Sequence, residues 1–365
     1  MLSQAKLYRI WHREIKANMG EQQPASRIQN MVWLVVGMYL AGNIHLSKIA
    51  RKLPIRAQKL SLERRLRRLL ANEGVDVAVC YNRVVRRLLA AAAVGGQVRL
   101  IVDGSKVGHG HRMLMVGLAY QRRSLPLAWH WMGYKRGASS LQAQRVLLGR
   151  VQALLPAGVQ VSLVGDHEFG HPDVMALVET WGWQYVLRQA GSNVFQHQSQ
   201  VGWQRYDQIA LTRGDLMGLS QITLTRTRTY TTHAVLYWKR SEAQPWYLAT
   251  NLASPHLALH LYRRRMWIEE MFGDMKKHGF DLEATRLRHA ERLNRLTLAV
   301  CWLFVWLVSL GEYVLKQHLH AEVDRAGRRD LSIFRLGWDW LERRLALSDP
   351  LPTCFVPSFS LVSGS

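Results

Sequence analysis

Through residue 97 the apolar positions recur at a helical period. QNMVWLVVGMYLAG reads as an apolar helix, and NIHLSKIARKLPIRAQKLSLERRLRRLLA as short helical pieces broken by Pro54 and followed by a basic amphipathic run. In that run Leu60, Leu62, Leu66, Leu69 and Leu70 form a stripe among Arg64, Arg65, Arg67 and Arg68. From Val98 the period changes to that of strands. VRLIVDGS predicts a strand ending in Asp103, and MLMVGLAY and LPLAWHWM predict two more, separated by the turn-like QRRS. A helix is expected from Ser139 to Leu155, closed by Pro156 and Gly158. VQVSLVGD predicts a strand ending in Asp166, HPDVMALVETWGW a helix, and QYVLR a short strand. Three strands, helix, strand, helix, strand is the order of a mixed α/β sheet. The Thr-, Tyr-, Trp- and Val-rich stretches of residues 191–254 predict a β-rich insertion. A long helix is expected to start at Ser254-Pro255 and run past Lys277, with more helix to about Gln317 and a loose tail at PSFSLVSGS. The units expected are therefore residues 1–97 (helical), 98–190 (first part of the α/β core), 191–254 (insertion), 255–318 (remaining core helices) and 319–365 (C-terminal region).

Charge narrows the class. Lys and Arg number 49 against 26 for Asp and Glu, a net charge of +23. Such a surplus favours a polyanionic partner, and nucleic acid fits better than an anionic membrane or a merely basic surface. The uncharged stretch Leu296 to Leu310 is shorter than the roughly 20 residues a bilayer requires, so a wholly buried helix is expected and no membrane partner. Cys80, Cys301 and Cys354 are too few and too scattered for a disulfide framework or a zinc cage. The N-terminus lacks a secretory apolar core. A cytoplasmic, reducing setting is expected.

Asp103 and Asp166 both fall where an apolar strand ends, the usual place for chemistry in an open α/β sheet. Each alone also suits a turn or cap. Together on a basic chain they suggest a shared hard cation such as Mg²⁺. The helix LYRRRMWIEEMFGDMKKHG offers a third acid. At 100° per residue Tyr262, Arg265, Glu269 and Lys276 fall within an arc of about 60°. Leu261, Ile268, Phe272 and Met275 form an apolar stripe beside them, and Glu270 points about 100° away from Glu269. An ordinary helix edge with an Arg265–Glu269 pair at i, i+4 satisfies the same spacing.

Tyr262, Arg265, Glu269 and Lys276 reproduce Y-(2)-R-(3)-E-(6)-K, and the chain thereby resembles the DDE transposases of the insertion-sequence-four group. Four fixed residues at fixed gaps match by chance about once in a thousand chains of this size. The resemblance covers about residues 98–310 and implies an RNase H-like fold. It implies Asp103, Asp166 and Glu269 as the catalytic triad holding two Mg²⁺ ions, with Mn²⁺ able to substitute. It implies Tyr262, Arg265 and Lys276 as grips on DNA phosphates, and Trp246, in a Trp-(3)-Thr stretch, as a base-stacking residue; insert core is an equal alternative for Trp246. The partners implied are double-stranded DNA, as terminal inverted repeats and target, and a second copy of the chain in a synaptic homodimer. Residues 1–97, outside the resemblance, carry a short helix, turn, basic helix pattern that suits DNA docking and is also common in ordinary helical bundles; a DNA-binding region is expected there, in a bacterial protein associated with the nucleoid. The function implied is cut-and-paste transposition; the alternatives are an RNase H-like nuclease or resolvase without strand transfer, or an inactive DNA-binding remnant. The chain departs from the pattern at His167 and Glu168, where relatives often carry Arg then Glu. Glu168 is open between a metal-adjacent acid and a salt-bridge partner. His109 and His111 lack further ligands at zinc spacing, and Arg122, Arg123, Lys135 and Arg136 are expected to add to the electrostatic footprint.

Overall fold

The apolar run after Gly96 becomes the centre of a sheet. In the computed structural model, which describes residues 2–108, 110–133, 139–198 and 202–359, β1 (Gln97–Val107), β2 (His111–Tyr120) and β3 (Arg123–Met132) form an antiparallel meander. β4 (Gln160–Gly165) and β5 (Gln184–Gln189) then add parallel to β1. The spatial order β3-β2-β1-β4-β5, with β2 alone running against the rest, is the RNase H-like arrangement. Two crossover helices, α6 (Leu141–Gln152) and α7 (Pro172–Thr180), join the parallel strands. Ser140 caps the first with its side chain, and Pro172 opens the second at a position where its missing N–H costs nothing.

β1 is longer than its sequence pattern implies. It does not end at Asp103 but continues to Val107, because Asp103, Gly104 and Ser105 stay paired with Met115, Leu114 and Met113 of β2. What ends there is the parallel ladder, whose last partners are Val102 and Gly165.

The β-rich segment does not form a separate sheet. β10 (Trp246–Thr250) pairs antiparallel with β5, and β9 (Tyr230–Tyr237), β8 (Leu216–Leu224), β6 (Val194–Gln196) and β7 (Gln204–Arg205) follow outward, giving one 10-stranded sheet. All five residues of β10 are buried, so both of its faces are covered and no alternation shows in its sequence.

Five helices precede the sheet, α1 (Leu2–Met19), α2 (Ala25–Ala41), α3 (Leu46–Lys52), α4 (Lys59–Ala71) and α5 (Val77–Ala93). The α4 stripe buries Leu62, Leu66, Leu69 and Leu70, whereas Leu60 is exposed. After the sheet come α8 (Pro255–Tyr262), a 3₁₀ turn Arg263–Arg265, and α9 (Met266–Met275). The expected uninterrupted helix past Lys277 is thus corrected twice. The 3₁₀ turn interrupts it, and at Lys276 the backbone leaves the helix with φ −96° and ψ −115°. The chain reverses there, His278 N bonding to Gly273 O and Asp281 N to Lys276 O.

The uncharged stretch lies inside α10 (Ala290–Lys316), buried along nearly its whole length. α11 (Ile333–Leu347) crosses it at Gly311 and Gly337, where a Cβ on Gly337 would lie 1.9 Å from Leu307 O. The tail is not loose as far as Phe359. Phe355 packs between Trp11 and Trp306, Phe359 stands edge-on to Tyr120, and Glu312 accepts from the backbone N–H and hydroxyl of Ser358. Of the tail expected to be loose, Ser358 and Phe359 are thus held, and residues 360–365 lie outside the described residues.

Candidate metal and phosphate site

The register of the parallel strands sets the site. Since Val102 and Gly165 are partners, Asp103 and Asp166 are the next residues on two neighbouring strands, roughly one strand spacing of about 4.8 Å apart as the ladder opens. Asp103 is buried, at 7% exposure, and its Oδ1 accepts from the N–H of Gly104 at 2.7 Å. Asp166 caps the short 3₁₀ turn His167–Phe169, its Oδ1 accepting from Glu168 N at 3.0 Å. Both readings of that aspartate, cap and cleft carboxylate, are therefore satisfied at once.

Arg265 joins the two sides. Its Nη1 donates to Asp103 Oδ2 at 2.9 Å and its Nη2 to Glu269 Oε1 at 2.5 Å. Glu269 is exposed at the start of α9 while Ile268, Met271, Phe272 and Met275 bury that helix against the sheet. Glu270 faces away and pairs with Arg123 at 3.4 Å. Arg123 also holds Asp274 at 2.6 Å, so it ties α9 to β3, and Lys135 and Arg136 lie outside the described residues. Lys276, just past the helix end, donates to Lys106 O at 2.7 Å and pairs with Glu283 at 3.1 Å.

These groups line one open cleft of about 470 Å³, with Asp103, Asp166, Arg265, Glu269 and Lys276 on its walls. Arg188 of β5 and His167 stand among them. Arg188 is the residue the sequence reading passed over. Its only sequence signal is a charge at the end of an apolar strand beside Asp166 on the neighbouring one. Tyr262 and Trp246 do not line the cleft. Tyr262 is buried behind it at 2% exposure, its ring edge-on to Trp246 with centroids 5.2 Å apart, and its hydroxyl has no partner among the described residues. A 3₁₀ turn, Arg263–Arg265, separates Tyr262 from the helix that carries Glu269.

Burial and the charge of Asp166 push the Asp103 carboxyl up to about 7, against the pull of Arg265. Burial also raises Asp166, offset by His167, whose Nδ1 is 3.7 Å from Asp166 Oδ2. Two neighbouring carboxylates in a half-dry cleft disfavour being charged together. The donors are all oxygens and suit a hard divalent cation. Among the described residues no three acidic, imidazole or thiol groups close on one point, and the guanidinium of Arg265 stands between Asp103 and Glu269. The chemistry of the donors fits such an ion, and their spacing as it stands is held by the arginine.

Glu168 is a structural partner: its side chain is 3% exposed, paired with Arg112, and accepts from Ser139 N at 2.5 Å. The ring of His111 stands edge-on to Trp131, 6.3 Å between centroids; His109 lies outside the described residues.

Comparison with known proteins assigns a family. No curated protein matches the chain. Among solved structures, a cryo-EM structure described as piggyBac transposase synaptic complex with hairpin DNA is similar at 9% identity, with a TM-score of 0.41 over 99% of this chain and 84% of that one. The sequence profile described as "Transposase DDE domain" matches residues 76–306, well over half of the chain and the whole stretch from β1 through Glu269. The chain therefore belongs to the DDE transposase domain family.

Proposed function

We propose that this protein is a cut-and-paste DNA transposase of the insertion-sequence-four group, with Asp103, Asp166 and Glu269 as its catalytic carboxylates. The observation that supports this most directly is the pairing of Val102 with Gly165, which places two aspartates side by side where parallel strands diverge, opposite a glutamate carried by α9. Those three side chains would hold two Mg²⁺ ions, with Mn²⁺ a workable substitute. Divalent ions so held supply an acidified water or 3′-OH and stabilise the leaving oxygen of an in-line displacement.

The chain's own residues do the rest. Asp103 and Glu269 present oxygens from two different elements, so the spacing of sheet and helix fixes the site. Arg188, Arg265 and Lys276 set three positive charges around the cleft and orient the phosphodiester by hydrogen bonds to its non-bridging oxygens. Tyr262 supports this wall from behind, and its hydroxyl, without a partner among the described residues, is available to a phosphate if the wall shifts. Stacking of a flipped base on Trp246 requires that ring to part from Tyr262. The helices of residues 1–97 bring further basic surface to terminal inverted repeats, and synapsis of two ends by a homodimer precedes joining of the 3′-OH to target DNA. Residues 319–365, through α11 and the docked segment, complete the packing around α10. The setting is the bacterial cytoplasm, at the nucleoid.

The test compares wild type with Asp103→Ala, Asp166→Ala and Glu269→Ala on duplexes carrying the element's ends. Each variant is expected to retain end binding and to lose Mg²⁺-dependent nicking and strand transfer by at least about a thousandfold. Undiminished cleavage by Glu269→Ala sinks the assignment, and cleavage by wild type without any joined product points to a nuclease instead.

A further inference from the structure

Arg265 is placed to do more than hold DNA. Its side chain is only 12% exposed, and it forks between Asp103 Oδ2 and Glu269 Oε1 at 2.9 and 2.5 Å. Among the described residues it is the one ion-pair partner of either carboxylate. A guanidinium cannot lose its proton to leave such a site, and its planar fork can satisfy two acceptors at once. The other cations of the cleft do not bridge this pair: Lys276 is occupied by Lys106 O and Glu283, His167 lies beside Asp166, and Arg188 pairs with neither carboxylate among the described residues. We infer that Arg265 is the resident cation of the metal-free cleft, exchanging with the divalent ion: metal takes Asp103 Oδ2 and Glu269 Oε1 from the guanidinium, and the freed fork turns to the DNA phosphate. This rests on the reading of Asp103, Asp166 and Glu269 as metal ligands.

Two consequences separate this exchange from a simple phosphate grip. Metal binding in the absence of DNA is weakened, because the guanidinium must first be displaced. Metal and DNA also favour each other, since a phosphate provides the released guanidinium with a new anion, and such coupling is reciprocal. A residue that only grips DNA weakens metal binding by its charge alone, an effect that lysine at this position would reproduce in full.

The experiment titrates the full chain with Mn²⁺, following free Mn²⁺ by electron paramagnetic resonance, without DNA and without turnover. Arg265→Gln is expected to bind Mn²⁺ about fivefold tighter than wild type or better. Arg265→Lys, which keeps the charge but cannot bridge both oxygens, is expected to lie between them and serves if the glutamine variant does not fold. Asp103→Asn and Glu269→Gln are expected to bind more weakly. Separately, fluorescence anisotropy with a labelled duplex in Ca²⁺ or in chelator is expected to show Ca²⁺ tightening DNA binding for wild type and not for Arg265→Gln. Equal or weaker Mn²⁺ binding by folded Arg265 variants overturns the exchange while leaving the ligands in place. Undiminished Mn²⁺ binding by Asp103→Asn and Glu269→Gln overturns instead the ligand reading beneath it.

Discussion

Asp274 shows how single side chains hold the site's framework. Burial raises its carboxyl to about 6, against the pull of Arg123 beside it. The sign follows from linkage. A carboxyl raised in the folded state from the ordinary 3.8 contributes stability that is complete below about pH 4 and is lost as pH climbs to 6 and beyond. Asp274→Asn removes this dependence, and Arg123 keeps Glu270 as a partner. Thermal unfolding in chelator between pH 4.5 and 7.5 is expected to show a flatter pH profile for the variant than for wild type. Parallel profiles would refute the shift. Arg265 makes the same point from the other side. Its spacing from Glu269 is legible as i, i+4, but its bond to Asp103, 162 positions away, belongs to the tertiary structure.

At the scale of elements, strand and helix order were legible, and lengths and ends were not. β1 runs on past Asp103 because β2 offers it partners, and no local propensity at Gly104 or Ser105 announces that. The helix carrying Glu269 breaks into α8 and α9 because Arg263–Arg265 tighten into a 3₁₀ turn, invisible to a periodicity that assumes one constant angle. The crossing of α10 and α11 was equally hidden, since Gly311 and Gly337 look like weak helix residues until the two backbones meet. Gly337→Ala places a methyl group against Leu307 O and the amide of Gly311, neither of which can yield cheaply. The variant is expected to lose about 2–3 kcal/mol of stability in denaturant unfolding, and a loss below about 0.5 kcal/mol would show that the helices are not so close.

At the scale of the whole molecule, the surplus of +23 predicts DNA binding that falls steeply with salt. Arg64 and Arg68 on α4 are exposed and form no ion pair among the described residues. If α4 lies on DNA, Arg64→Ala with Arg68→Ala lowers the slope of log affinity against log salt by about 2. An unchanged slope places DNA on another face. The termini are drawn into the same body, Phe355 packing against Trp11 of α1 and Trp306 of α10.

The sequence by itself determined the α/β order, the buried character of residues 296–310, the basic surface, and the spacing that sets Glu269 apart from Glu270. Each is a local or additive property, carried by period, composition or charge. Only the tertiary structure decided that Asp103 and Asp166 are neighbours in register, that Arg265 bridges Asp103 to Glu269, that Arg188 faces the same cleft, and that Tyr262 and Trp246 lie behind it. Those facts depend on which strands pair, in which register, and on how the helices dock on them, and each is fixed by contacts between residues far apart in the chain.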